Sequence, residues 1–205
     1  MESINLSTIT TLPSLSSGKS TQAKRLYEHL KSLGYKVSLY RDPGSTELAE
    51  KIRELILGFE IDPTTELLLF ECARSSLMWE KILPDLRDGK VVIVDRFIDS
   101  TMAYQGYGRE INLGTVNILN HIAIRGRKPD ITFLLNVPLE MALERIKGKR
   151  TRFEDKDYLR TVRDAYILIA HEQKDRIVML DGTRSEEEVF MDVLKVLKER
   201  FGLDL

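Results

Sequence analysis

The sequence predicts an α/β fold in which a mainly parallel sheet of five strands is covered by helices on both faces. Three observations carry this prediction. Short apolar runs alternate with segments of helical spacing along the 205 residues, most of these runs are apolar throughout, and each is followed by a polar residue or a turn. Strands buried on both faces have this pattern, and crossover helices join them in parallel. Because no linker-like stretch divides the chain, we expect a single domain spanning residues 1–205.

The strands are predicted where aliphatic and β-branched residues follow one another. The first strand, ahead of position 12, is the exception, since Ser7, Thr8, Thr10 and Thr11 are polar where a central strand is expected to be apolar. The other four predicted strands cover residues 37–40, 91–94, 131–135 and 176–180. In such folds ligands bind at the carboxyl ends of the strands, so the loops that follow them are the places to look for chemistry.

Segments with helical spacing fill the intervals between the strands. In the first, Ala23, Leu26 and Leu30 share one side of a helix that ends at Gly34. The last opens with Ser185-Glu-Glu-Glu188, a capping box that also places acidic residues at the positive end of the helix dipole. The predicted helices cover residues 22–33, 46–57, 65–86, 113–124, 139–147, 156–171 and 185–201.

The composition indicates which kinds of partner and which cell compartment to expect. The 31 basic and 32 acidic side chains nearly cancel, which argues against a nucleic acid or a membrane as the main partner. No apolar run approaches the ~18–20 residues of a membrane span. The N-terminal stretch lacks the basic start and continuous apolar segment of a secretory signal. Cys72 stands alone, which excludes a disulfide framework and favours the cytoplasm.

The end of a Walker A motif opens the first predicted helix. Gly18, Lys19 and Ser20 fit the pattern G-x-x-x-x-G-K-[ST], whose backbone N–H groups, lysine and hydroxyl bind phosphates and Mg²⁺. The first glycine of the pattern is missing, and its place holds Pro13. Taken alone, the triplet favours an ordinary helix start over a phosphate site, so the assignment depends on the rest of the chain.

Polar residues directly follow the second and third of the five predicted strands. The segment Arg41-Asp-Pro-Gly-Ser-Thr46 follows the run 37–40, where a plain strand-to-helix turn is the alternative interpretation. Asp95 and Arg96 follow the run 91–94 directly. A carboxylate there can hold the water shell of Mg²⁺ and an arginine can grip a phosphate, with a surface ion pair as the alternative.

Two further features have both a functional and a structural interpretation. Phe70 and Arg74 lie four residues apart and so share a helix face, which indicates a stacking ring beside a hydrogen-bonding neighbour, although a lone phenylalanine is usually core. The basic run 147–152 between two helices is either a solvated loop or a set of mobile arginines that stabilise charge during phosphoryl transfer. The three histidines are scattered on helices without nucleophilic partners, so we interpret them as structural.

From Gly18 onward the chain resembles the bacterial thymidylate kinases. Arg41-Asp-Pro-Gly-Ser-Thr46 is similar to the family's R-E-P-G-G-T, and Phe70-Glu-Cys-Ala-Arg74 to its F-x-A-x-R. Asp95-Arg-Phe-Ile-Asp-Ser-Thr-Met-Ala-Tyr-Gln-Gly106 is similar to D-R-Y-x-x-S-x-x-A-Y-Q-G, the most specific of the matches. Pro129-Asp-Ile-Thr132 and Arg152-Phe-Glu154 are similar to P-D-L-T and to the R-F-E of a lid at about residues 147–154. The resemblance implies a P-loop kinase fold.

The resemblance also implies the reaction and a role for each matching residue. The reaction is transfer of the γ-phosphoryl group of ATP to dTMP with Mg²⁺, in a cytoplasmic homodimer. The base, sugar and phosphate of dTMP are then expected to meet Arg53, Phe70, Arg74, Arg96, Thr101, Tyr104, Gln105 and Tyr166. ATP is expected to meet Gly18, Lys19, Ser20, Thr21 and Arg145, with Ser20 and Asp95 serving Mg²⁺. Lys19, Arg96, Arg150 and Arg152 are the expected catalytic residues.

The sequence departs from the family's pattern in its phosphate loop. Where the family has glycines this chain has Pro13 and Ser16, and Leu15 replaces an acidic residue that contacts the 3′-hydroxyl of the acceptor. Proline lacks an N–H and serine disfavours positive φ. Asn136 is a milder change, since the family usually has aspartate there. Two alternatives therefore stay open: a catalytically impaired homologue that still binds nucleotide, and a kinase for another nucleoside monophosphate.

Overall fold

A computed structural model describes residues 7–11, 19–144 and 155–205 and confirms the predicted α/β class. Its sheet has five strands in the order β2-β3-β1-β4-β5. All neighbouring strands pair in parallel, with Ile9 opposite Asp95 and Thr11 opposite Leu135. The central strand is therefore the polar one. The strands are β1 Ser7–Thr11, β2 Val37–Arg41, β3 Val91–Asp95, β4 Ile131–Asn136 and β5 Ile177–Asp181.

Helices cross between the strands close to their predicted positions. They are α1 Lys19–Ser32, α2 Glu47–Gly58, α3 Pro63–Leu77, α4 Leu83–Arg87, α5 Ile98–Thr101, α6 Leu113–Ala123, α7 Leu139–Glu144, α8 Lys156–Glu172 and α9 Glu186–Phe201. The capping box predicted at Ser185 is confirmed, because its hydroxyl and the Glu188 side chain each accept a backbone N–H of the other residue. The end of the helix predicted over residues 139–147 lies outside the described residues.

The helix predicted over residues 65–86 differs from a single regular helix. Between α3 and α4 lies a π-helical segment, Met78–Ile82, and the N–H of Leu83 bonds to the carbonyl of Met78. Pro84 follows at the start of α4. Because proline has no N–H and its ring crowds the preceding turn, a locally wider helix accommodates it.

The short helical stretch that follows β3 was not predicted from the sequence. Here α5 leads directly into a second π-helical segment, Met102–Tyr107. Its buried side chains include Asp99, Ser100 and Gln105, which interrupt any apolar stripe. A helix that buries polar groups gives no hydrophobic periodicity, and so the stretch escaped prediction.

Helices cover both faces of the sheet. On one face Phe133 packs with Leu26 of α1 and Val193 of α9. On the other face Val94 packs with Leu77 and other residues of a second cluster. The strand residues alternate between these two cores, as expected for parallel strands with crossover helices on both sides. Among the described residues, no helix combines the length and apolar composition needed to cross a membrane.

Candidate active site

The loop after β2 is held in an unusual backbone conformation. Ser45 has a φ of +70° and Gly44 a φ of +142°. The carboxylate of Glu50 accepts the backbone N–H of Ser45 at 2.8 Å and the guanidinium of Arg41 at 2.9 Å. Glycine is favoured at position 44 because other residues rarely adopt a φ of +142°. Thr46 then caps α2 by accepting the N–H of Ala49.

Arg96 follows β3 in a strained position. Its φ is +67°, a left-handed conformation that a residue with a Cβ rarely adopts. Its guanidinium lies over the ring of Tyr104, 5.3 Å from the centroid. Strain of this kind persists where the surroundings enforce it and is concentrated at functional sites. The structure thus directs a cationic side chain toward the carboxyl end of the sheet.

Positive charge accumulates between the ends of β2 and β3. Burial, followed by the charges of Arg41 and Arg96, lowers the pKa of the Arg53 guanidinium. Arg53 donates to the carbonyl of Pro43 at 3.5 Å, a long hydrogen bond. Arginines that repel one another in a partly buried place are stabilised when an anion binds among them. The positive charge of Arg41, Arg53 and Arg96 therefore suits the binding of a phosphate.

Arg74 is a fully buried charged residue of the site, with an exposed fraction of 1%. Its Nε donates to Asp42 Oδ2 at 2.7 Å and its Nη2 to Thr101 Oγ1 at 2.7 Å. Its Nη1 donates twice, to Glu71 Oε1 at 2.7 Å and to Asn120 Oδ1 at 2.6 Å. Four of the five guanidinium N–H groups thus have partners. Among the described residues, the second N–H of Nη2 has none.

Two carboxylates share the single positive charge of Arg74. Burial raises the pKa of Asp42 and of Glu71, although Arg74 lowers both. The pKa of Arg74 is raised, because the pull of the two carboxylates exceeds the effect of burial. Asp42 Oδ1 and Glu71 Oε2 are buried and have no hydrogen-bond partner among the described residues. Asp42 and Glu71 therefore hold Arg74 in place, and each retains one carboxylate oxygen without a hydrogen-bond partner among the described residues.

Three tyrosines pack together beside Arg96. The ring of Tyr104 meets Tyr158 and Tyr166 edge to face, with centroids 6.1 Å and 6.3 Å away. The hydroxyl of Tyr166 donates to Ser100 at 2.8 Å, and burial raises its pKa. The exposed fraction of Tyr166 is 1%, and its ring packs against that of Tyr104. The expectation that Tyr166 covers a bound sugar and base stays a prediction.

Gln105 and Phe70 also have packing roles. The amide nitrogen of Gln105 donates to the buried Glu66 at 2.8 Å and so ties the segment after β3 to α3. Phe70 is half-buried and packs against Ala49, Ile52 and neighbouring residues of a small core. Phe70 therefore contributes to a small core while part of its side chain stays exposed, and its stacking role stays a prediction.

The expected phosphate-binding and lid residues are described only in part. Lys19, Ser20 and Thr21 form the first turn of α1. Asp95 is buried at the end of β3, and its carbonyl accepts the N–H of Asp42 at 3.0 Å. Gly18, Arg145, Arg150 and Arg152 lie outside the described residues, as do Pro13, Leu15 and Ser16.

Three polar residues of the site were given no role by the sequence. Asp42 lies inside a motif that was noted only as a whole, and Glu71 lies between Phe70 and Arg74. Asn120 is 46 positions away from Arg74 along the chain. The sequence around each of the three does not identify its partner, because the pairings depend on which elements meet in the fold.

Comparison with known proteins gives a consistent result. The profile of the family described as Thymidylate kinase matches residues 16–193. The thymidylate kinase of Caldanaerobacter subterraneus subsp. tengcongensis is 43% identical over 187 residues, covering 89% of this chain and 90% of that protein. The thymidylate kinase of Fervidobacterium nodosum is 42% identical over 182 residues, covering 87% and 92%. The crystal structure of thymidylate kinase from Ehrlichia chaffeensis matches with a TM-score of 0.77 at 34% identity, covering 94% of this chain and 99% of that one.

Proposed function

Because this chain belongs to the thymidylate kinase family, its activity is phosphoryl transfer from ATP to dTMP, and we propose that dTMP binds between Arg74, Arg96 and Tyr104. The chain shares the P-loop kinase fold of that family. The buried guanidinium of Arg74, with four N–H groups fixed and one left over, is the observation that carries the placement of the substrate.

The base end of dTMP belongs at Arg74. A single remaining N–H donor favours a carbonyl oxygen on the base edge, such as O4 of thymine, and disfavours the amino group of cytosine. Phe70, one helical turn away, supplies a ring on which the base stacks. Thr101 fixes Nη2 of Arg74 on the pocket side.

The phosphate end belongs at the cluster of Arg53 and Arg96. Both lie near the carboxyl ends of β2 and β3, and the lowered pKa of Arg53 reflects burial and unbalanced positive charge. The strained backbone of Arg96 directs its guanidinium toward this place, where two parallel hydrogen bonds to a phosphate are possible. The ring of Tyr104 lies between the two ends and excludes space beside the 2′-carbon of the sugar, while Gln105 holds that segment to α3.

ATP belongs at the start of α1. Lys19, Ser20 and Thr21 occupy its first turn, where backbone N–H groups and the helix dipole attract phosphates. We place Gly18 and Arg145 in the same site by family resemblance, and Arg150 and Arg152 in the lid at residues 147–154. Lid arginines stabilise the charge that develops on the transferred group.

Mg²⁺ fits this site through a limited set of protein ligands. Asp95 supplies a buried carboxylate at the end of β3, beside the strand that leads toward α1. Among the described residues, no three acidic, histidine or cysteine side chains are grouped closely enough to hold a metal ion by themselves. Mg²⁺ commonly takes one carboxylate, a hydroxyl and phosphate oxygens and keeps several waters. Asp95 and Ser20 would hold the ion in that way, and it would neutralise charge on the ATP phosphates.

The reaction needs positioning more than covalent chemistry. An oxygen of the dTMP phosphate forms a new bond to the γ-phosphorus, and the bond from that phosphorus to the β–γ bridging oxygen breaks. The products are dTDP and ADP. Arg96 and Lys19 hold the two phosphates in line and stabilise the charge spread over the transferred group. A closed lid excludes water, which would otherwise accept the phosphoryl group.

We propose that the enzyme acts in the cytoplasm as a homodimer of single-domain subunits. Support for self-association comes from exposed aliphatic side chains on α2, α3 and α6, which lie side by side. Exposed apolar groups on adjoining helices are typical of subunit interfaces. These residues are Leu48, Leu55, Leu68, Ile118 and Ile122.

Turnover measured with a panel of acceptors tests the proposal. Purified protein with ATP and Mg²⁺ is expected to phosphorylate dTMP, to accept dUMP less well because it lacks the 5-methyl group, and to reject dCMP. A preference for dCMP or for a purine monophosphate would overturn the placement of the base at Arg74. Binding of nucleotides without turnover would instead identify an impaired homologue.

A further inference from the structure

We infer that Asn120 is a positioning residue for base recognition, which it serves by fixing the guanidinium of Arg74. The inference rests on the proposed dTMP site. Asn120 lies on α6, outside every motif of the sequence, and its exposed fraction is 4%. It does not belong to the helix of Arg74 or to the loops that follow the strands.

The side chain of Asn120 is fixed at both ends. Its Oδ1 accepts from Arg74 Nη1 at 2.6 Å, and its Nδ2 donates to the carbonyl of Ile98 at 3.4 Å. The carbonyl of Ile98 belongs to α5, which leads to Thr101 on the other side of the guanidinium. Asn120 therefore connects α6, α5 and α3 through one amide group.

A neutral acceptor suits this position. Asp42 and Glu71 already place two carboxylates against one guanidinium, and burial raises the pKa of each. A third carboxylate would leave further negative charge without a partner in a buried place. An amide oxygen satisfies the remaining N–H of Nη1 and adds no charge.

Removal of this amide would change the direction of Arg74. The second N–H of Nη1 would lose its acceptor, and a buried donor without a partner is costly. Glu71 Oε2 is buried without a hydrogen-bond partner among the described residues, so it is an alternative acceptor close by. Rotation of the guanidinium toward it would turn the remaining Nη2 N–H away from the base. Asn120 thus controls which group the base meets without touching the base.

Kinetics of Asn120→Ala test this role, with Asn117→Ala as the matched control. Asn117 lies on the same helix with an exposed side chain, so the control makes the same chemical change away from Arg74. Asn120→Ala is expected to raise the KM for dTMP about tenfold, as for loss of one hydrogen bond to a charged group. The preference for dTMP over dCMP is expected to fall with it, while the KM for ATP stays unchanged.

The comparison separates positioning from a structural role. If Asn120→Ala folds poorly, Asn120→Val fills more of the space, has no hydrogen-bond acceptor in its side chain and is expected to shift the KM for dTMP in the same direction. Unchanged dTMP kinetics and selectivity in a folded Asn120 variant of an active enzyme would overturn the inference alone. Equal increases in KM for dTMP and ATP would also overturn it. Absence of dTMP turnover in the unaltered protein would overturn the proposed function itself.

Discussion

Arg74 and Asp42 form an ion pair in which Nε lies 2.7 Å from Oδ2 and the side chains are 2% and 1% exposed. The pair joins α3 to the loop after β2, and so joins the proposed base site at Arg74 to the loop beside the proposed phosphate site. Buried pairs contribute little net stability, but the loss of one partner leaves the other charge uncompensated. The pair therefore acts mainly on the geometry of the pocket.

Asp42→Ala is expected to lower both stability and dTMP affinity, because it removes the acceptor of the Arg74 Nε–H and leaves a buried donor without that partner. Glu71 remains within 2.7 Å of the guanidinium, so the loss should resemble that of one charge-assisted hydrogen bond, about 1.5–3 kcal/mol in the free energy of unfolding. Urea denaturation measures it, and Asp88→Ala at an exposed helix end serves as the control. A loss equal to that of the control would show that the pair does not anchor Arg74.

The free energy of unfolding is expected to depend on pH through the two buried carboxylates, Asp42 and Glu71. The folded-state pKa values of Asp42 and Glu71 lie above their ordinary values of 3.8 and 4.5. The folded state then binds more protons than the unfolded state between those values and the raised ones. Their contribution is fully present below the ordinary values and is lost as pH rises through the folded values.

Denaturant titrations from acid to neutral pH measure this contribution. Glu71→Gln is expected to flatten the decline of the free energy of unfolding with rising pH. The control is Glu50→Gln, since the backbone N–H of Ser45 lowers the pKa of Glu50 and its contribution is lost as pH falls. A pH profile of Glu71→Gln identical to that of the unaltered protein would contradict the expected protonation.

The sequence predicted the strands and helices whose apolar residues recur at regular spacing. It did not predict the ion pairs and hydrogen bonds between buried polar side chains. The strand before Asp95 and the helix after Asp155 were found because their apolar residues recur at the spacing of a strand or a helix. Asp99 gave no signal, yet its buried carboxylate pairs with Arg176 at 2.6 Å and fixes α5 against the sheet. Pairs of this kind depend on which elements meet, and a pattern within one element contains no information about that.

Arg96→Ala is expected to lower kcat/KM for dTMP strongly while the fold stays intact. Alanine keeps the Cβ at the same positive φ, so the change removes the guanidinium and leaves the backbone strain. Loss of a charge-assisted phosphate contact should cost about 2–4 kcal/mol of transition-state stabilisation, or roughly 30- to 1,000-fold in rate.

Arg125→Ala is the matched control for Arg96→Ala. Arg125 also has a positive φ, of 53°, and its guanidinium lies over the ring of Trp79 at 5.1 Å. It lies at the end of α6 and outside the proposed site. Steady-state kinetics that fall equally in both variants would show that the loss of the Arg96 guanidinium has no effect specific to the proposed site.

Phe70→Ala is expected to weaken dTMP binding far more than ATP binding. Stacking of a base on an aromatic ring contributes roughly 1–3 kcal/mol, and titration calorimetry with each nucleotide measures the loss. Leu69→Ala provides the comparison, because Leu69 packs against the same small core as Phe70. That variant should lower Tm and leave dTMP affinity unchanged. A similar loss of Tm with no selective loss of dTMP binding in Phe70→Ala would identify Phe70 as core alone.

Restoring glycines at Pro13 and Ser16 is expected to strengthen ATP binding. A phosphate nest needs consecutive backbone N–H groups in glycine-type conformations, and proline removes one donor outright. One or two missing contacts, at ~1.5–3 kcal/mol each, correspond to about 10- to 10⁴-fold in affinity. Calorimetric titration with ATP and Mg²⁺ compares the unaltered protein with the double variant, and adding Leu15→Asp tests the acceptor contact separately. Affinity for dTMP in the double variant should stay the same, since the glycines act on ATP. Micromolar ATP affinity in the unaltered protein, unchanged by the glycines, would show that this loop binds phosphate without them.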